Sequence, residues 1–141
     1  MGDPTPHPPE RPRRRVPLSV LELVPRSRGM TPADALREST ELARTVDRLG
    51  YHRLWVAEHH NTEGFMSSAT SLVLGHFAQH TDRIRLGSGG VMLPNHSTLM
   101  VAEYYGTLHA LYGDRFDLGL GRAPGTDPLT SAALARRTGQ L

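Results

Sequence analysis

With 141 residues the chain is long enough for one domain with a real core, and its 38% hydrophobic and 21% charged residues are ordinary for a globular protein. All 16 basic residues are Arg, and Lys and Cys are absent, which excludes lysine Schiff bases, P-loop lysines, disulfides, thiolate nucleophiles and Cys-ligated metals. The formal charge of +2 comes from Arg11, Arg13, Arg14 and Arg15 against Asp3 and Glu10. The other 12 Arg and 12 acidic residues cancel, and aromatic residues do not interleave with the basic ones, so the pattern argues against a nucleic-acid partner.

Residues 1–15 hold Pro4, Pro6, Pro8, Pro9 and Pro12 among charges and read as a disordered tail. The triple Arg before Val16 is similar to a twin-arginine export signal, but Glu22 and Pro25 interrupt the apolar run and no small-residue cleavage site follows. No segment approaches the ~20 apolar residues of a membrane span. Together these features predict a cytoplasmic protein without a membrane partner.

Residues 18–24 read as a first strand. Thr31, Pro32 and Asp34 then open a helix as cap, first residue and first-turn acid; Leu36, Ala43, Val46 and Leu49 share one face, and Gly50 stops it. A second strand over 53–58 is followed by a helix capped by Ser67 or Ser68 and carrying Ala69, Leu72, Val73 and Phe77. A third strand over 83–89 precedes a helix capped by Ser97 or Thr98, with Val101, Tyr105, Leu108 and Tyr112, closed by Gly113. The fourth strand is 115–121, and Thr126, Asp127 and Pro128 start a last helix that fades at Gly139. Strands recurring at about the length of a βα unit predict a parallel α/β sheet, four units of a fold whose closed barrel needs eight.

Parallel sheets place chemistry at the carboxyl ends of their strands. Here those ends carry Glu58, His59 and His60 after the second strand, Gly87, Ser88, Gly89 and Gly90 in the third, and Arg122 after the fourth. Adjacent strand residues face opposite ways, so His59 and His60 are not expected to ligate one ion; HExxH is absent, His52 and His96 have no ligand register, and no metal is expected. The paired His is either polar loop or a proton-transfer group. The glycines lack the dinucleotide register: they mark either a bulged strand end or a surface a flat ligand can approach closely. Arg122 is either a solvated side chain or an anion contact. Trp55, Met100, Tyr104, Tyr105 and Tyr112 read as packing.

Taken in order, Ala57-Glu58-His59-His60, then Gly87 to Pro94, then Gly113 to Gly125 resemble the bacterial luciferase-like flavin-dependent monooxygenases, over residues 17–134 or so. The resemblance implies a (β/α)8 TIM barrel of which 16–141 is the N-terminal half. It also implies an oxidoreductase using reduced FMN and O2 on an organic substrate, with the deazaflavin F420 ranking second and a flavin reductase as supplier. By the same resemblance His59 is the catalytic proton-transfer group, Glu58 and His60 flank the cofactor pocket, Ser88, Gly89 and Gly90 lie behind the flavin ring with a cis peptide, and Arg122 contacts the ring or phosphate. The missing second half leaves two strand edges bare and predicts a homo-oligomer. The alternatives are a non-catalytic flavin-binding or assembly half-barrel and an inactive fragment.

Overall fold

The structure is a computed structural model that describes residues 16–135. Strands β1 (Ser19–Glu22), β2 (Arg53–Val56), β3 (Arg85–Met92) and β4 (Phe116–Gly121) lie side by side in sequence order, and each neighbouring pair is parallel. Helices α1 (Pro32–Arg48), α2 (Thr70–Gln79), α3 (Thr98–Tyr112) and α4 (Pro128–Ala135) alternate with them, giving four βα units. The expected tail over 1–15 and the fading of α4 at Gly139 lie outside the described residues.

The start of α1 follows the sequence signal. Thr31 Oγ1 accepts the Asp34 N–H at 3.2 Å, and Asp34 Oδ2 accepts the Thr31 N–H at 2.8 Å, a reciprocal capping box. Gly50, at φ 76°, and Gly113, at φ 75°, end α1 and α3 in the left-handed region where a Cβ is penalised.

Several boundaries differ from the sequence reading, each for a local reason. β1 stops at Glu22 because Val24 turns to φ 53° and gives its N–H back to Glu22 Oε1 at 2.7 Å. β3 starts only at Arg85, since the Asp47 carboxylate takes the N–H groups of Asp82, Arg83 and Ile84 at 2.9, 3.1 and 2.8 Å. Its far end runs on to Met92, beyond a register shift between Ser88 and Val91 against β4. α2 begins at Thr70 with Ala69 as an uncapped start, leaving Ser67 buried before it. A short 3-10 turn, Leu93–Asn95, leads from β3 toward α3.

The sheet has two unlike faces. Leu54 and Val56 of β2 and Leu86 of β3 are fully buried with Ala35, Ala43, Val46, Val73, Leu74, Phe77 and Leu108 of the helices, and this layer is the core. The alternate residues, Leu21, Arg53, Trp55, Arg85, Gly87, Gly89 and Asp117, share the opposite face. Among the described residues that second face has no helix layer of its own, and Leu21 stands 55% exposed on it.

Candidate functional site

Beyond β2 the chain builds a buried polar hub. Glu58 is 1% exposed and accepts three hydrogen bonds: His60 Nε2 and His96 Nε2 donate to Oε1 at 2.7 and 2.8 Å, and the Met92 N–H donates to Oε2 at 3.0 Å. Because a carboxylate only accepts, each imidazole carries a proton on Nε2. Burial pushes the Glu58 carboxyl up, but the bonds from His60, His96 and Met92 outweigh it and hold the group below its usual range. His96 was the residue that motif reading passed over. It lies 38 positions from Glu58, and only the closing of β3 beside β2 brings them together.

His59 and His60 do face opposite ways. His60 joins the hub, while the His59 ring packs on Phe65 at a centroid distance of 5.1 Å and borders a recess of about 360 Å³ with Pro32, Leu36 and Asn61. Glu58, His60 and His96 bring three ligand-type atoms within 4.8 Å of one another, so a two-imidazole, one-carboxylate donor set exists among the described residues. Those atoms already satisfy one another as hydrogen-bond partners.

The loops at the carboxyl ends of the strands are tied together. His60 N–H donates to Gly125 O at 3.1 Å, Thr126 Oγ1 donates to His60 O at 2.8 Å, and Asn95 Nδ2 donates to Pro124 O at 2.8 Å. Asp127 caps α4 by accepting the N–H groups of Leu129 and Thr130 at 2.9 and 3.0 Å. Hydrogen bonds from Thr130 and neighbouring groups hold its carboxyl at about 2.

The glycine block divides by face. Ser88 is fully buried toward the helices; its Oγ donates to Gly119 O at 2.9 Å and accepts the Gly119 N–H at 3.1 Å. Tyr105 lies on this same side. Its Oη has no hydrogen-bond partner among the described residues, and burial pushes the phenol up to about 12. Gly89 is exposed on the other face, and the peptide bond from it to Gly90 is cis, as the resemblance implies. Gly87 is occupied territory: a Cβ there would stand 2.6 Å from Trp55 Cε3.

Below Gly89 on the open face, Asp117 Oδ2 accepts from Arg53 Nε at 2.6 Å and from Arg85 Nε at 2.9 Å. The Arg85 bond, followed by Arg53, holds the Asp117 carboxyl below its usual range against partial burial. Arg122 is exposed past β4 and lines an apolar recess of about 410 Å³ with Leu93, Pro94 and Leu120. The structure therefore joins Glu58 to His60, sets Gly89, Gly90 and Arg122 at the ends of β3 and β4, and places His59 on a separate recess.

Comparisons with known proteins bear on the family and the fold. Residues 18–138 match the luciferase-like monooxygenase family description. A luciferase-like monooxygenase of Escherichia coli (strain K12) is 51% identical over 123 residues, covering 87% of this chain and 37% of that protein. The crystal structure of apo-MsnO8 superposes with a TM-score of 0.83 at 49% identity, covering 89% of this chain and 38% of the other. The oxygenating constituent of 3,6-diketocamphane monooxygenase from a Pseudomonas putida plasmid, a type II Baeyer-Villiger monooxygenase in complex with FMN, has the same fold. Its TM-score is 0.72 at 20% identity, over 88% of this chain and 34% of that one. The chain thus spans little more than a third of the length of the proteins it matches, and its parallel sheet is the first four βα units of the TIM-barrel pattern.

Proposed function

The chain belongs to the luciferase-like monooxygenase family, and we propose that it forms the flavin-facing amino-terminal half-barrel of an FMN-dependent monooxygenase acting with O2 on an organic substrate. The observation that carries this reading is the bare backbone of Gly89 on the open sheet face, at the carboxyl side of β3. The nearest atoms to a Cβ there belong to the side chains of Trp55, at 3.1 Å, and Leu21, at 3.5 Å, so a side chain would fill exposed space that a flat ligand can use. That cradle fits an isoalloxazine ring, and Arg122 at the neighbouring strand end fits a phosphate. Neighbours of the same fold include both an FMN complex and an F420-dependent secondary alcohol dehydrogenase, so the preference for FMN rests on the resemblance alone.

When bound, a reduced flavin would supply the two electrons with which O2 gives one oxygen atom to the substrate and the other to water. His59, its ring packed on Phe65 at its own recess, is carried over from the resemblance as the group that would hold and return a proton at the reacting edge. The Gly89 and Gly90 backbone supports the ring. Glu58 and His60 act behind the sheet by fixing the loop that carries His59. A flavin reductase delivers the reduced cofactor, and a substrate-bearing surface comes from outside the four units.

Equilibrium dialysis against FMN and riboflavin, followed by oxygen uptake with photoreduced FMN, tests the proposal. Saturable FMN binding is the expected result, and no binding at millimolar FMN overturns it. Binding without oxygen uptake above the free-flavin rate favours the second reading, a non-catalytic flavin-binding half-barrel, which the outer strands β1 and β4, unpaired on one side among the described residues, also support.

A further inference from the structure

Trp55 is not packed among the helices; its indole lies on the open face of the sheet. The ring spans from β2 over β3, where it fills the space a Gly87 side chain would need, and reaches to 3.6 Å from the Cβ position of Gly119 on β4. Gly87, one of the glycines that read as ligand space in the sequence, thus serves the indole, as does Gly119. From below, the Arg53 guanidinium stacks on the ring with Cζ at 4.7 Å from its centroid, and Arg53 is itself held by Asp117 at 2.6 Å. A ring gripped on one face by an ion-paired guanidinium and seated on glycine backbone has little freedom to turn.

Going up the same face toward the strand ends, the next residue of β3 is Gly89, which is exposed, and the flanking side chain of β1 is the exposed Leu21. Leu21, Trp55, Gly87 and Asp117 are register partners across the four strands, with Arg53 and Arg85 two residues before them and Gly89 two residues after, so the indole lies between the two guanidinium-bearing positions and Gly89. We propose that Trp55 is the floor of the ligand pocket, a specificity-determining residue that sets its depth and packs against the ring system of the bound flavin. A planar ring system fits beside Gly89, because aromatic rings pack against an indole while Arg53 holds the indole on its other side. The inference rests on the flavin reading but assigns a residue that the motifs left as packing.

The contact is with the ring system, so its loss weakens FMN and riboflavin alike. Trp55→Ala raises both dissociation constants at least tenfold by equilibrium dialysis, and Trp55→Phe raises both about threefold with a cooperative melt retained. The protein has one Trp, so its alkylation by 2-hydroxy-5-nitrobenzyl bromide, read by mass, gives a second measurement on the unmutated chain: saturating riboflavin slows it about tenfold. If the parent binds flavin but riboflavin gives no protection, or a folded Trp55→Ala binds both flavins within twofold of the parent, the floor assignment is wrong while the flavin reading stands. If the parent binds no flavin, both fall.

Discussion

Glu58 accepts from two imidazoles and a backbone N–H, so its oxygens are not interchangeable with an amide. In Glu58→Gln, an amide oriented to keep both imidazole donors on its oxygen turns its NH2 toward the Met92 N–H. A buried donor is then left facing a donor, which costs about 1–3 kcal/mol. Urea denaturation of the variant is expected to show that loss with an unchanged slope; a parent-like midpoint would mean the hub is not a stabilising unit. His59 makes a separate case. It lies outside the hub, so His59→Ala should leave the fold intact and lower oxygenation by about 10²–10⁴, the usual contribution of a positioned acid–base group. Turnover within twofold of the parent, with FMN affinity unchanged, would remove His59 from the chemistry. Arg122 is exposed beside its recess, and losing a charge-assisted phosphate bond there should cost about 1.5–3 kcal/mol. Arg122→Ala is therefore expected to weaken FMN but not riboflavin, and equal weakening of both would move Arg122 to the ring.

At the level of elements, Asp47 near the end of α1 organises the entry to β3 by accepting three successive N–H groups. Partial burial pushes its carboxyl up, but the Asp82, Ile84 and Arg83 amides outweigh it and leave it below the ordinary value of 3.8. A carboxyl lowered on folding binds fewer protons in the folded state than in the unfolded chain. Its contribution is then fully present above pH 3.8 and is lost as pH falls through the lower folded value. Asp117 and Glu58 act with the same sign. Stability is expected to fall as pH drops from about 5 toward 2, the window set by ordinary carboxyl values and their lowered folded ones. Asp47→Asn should flatten part of that fall when thermal midpoints are measured across the range. An identical pH profile in the variant would show that Asp47 is not one of the groups responsible.

For the whole molecule, four parallel strands leave β1 and β4 as outer strands, and the face opposite the helices carries exposed Leu21 beside uncapped glycine. Bare strand edges and uncovered apolar residues favour association. The 141-residue chain is expected to sediment as a dimer or larger species in an equilibrium run across a concentration series, two copies supplying eight strands. A compact monomer that melts cooperatively and binds FMN tightly would show instead that four units suffice.

The local chemistry of this fold was written in the residues. Thr31 and Asp34, Gly50, Gly113 and the Asp127–Pro128 start all act through neighbours in sequence, so the order of strands and helices and the parallel sheet could be read from spacing alone. The three strand-end blocks likewise carried the family. What remained for the tertiary structure were contacts between distant residues. No spacing rule links Glu58 to His96, Asp47 to the amides before β3, or Trp55 to Gly87, because each pair meets only when parallel strands are laid side by side. The sheet face decided the rest. Adjacent residues of one motif, His59 and His60 or Ser88 and Gly89, point to opposite sides, and only the packed helices show which side is core and which is open to a ligand.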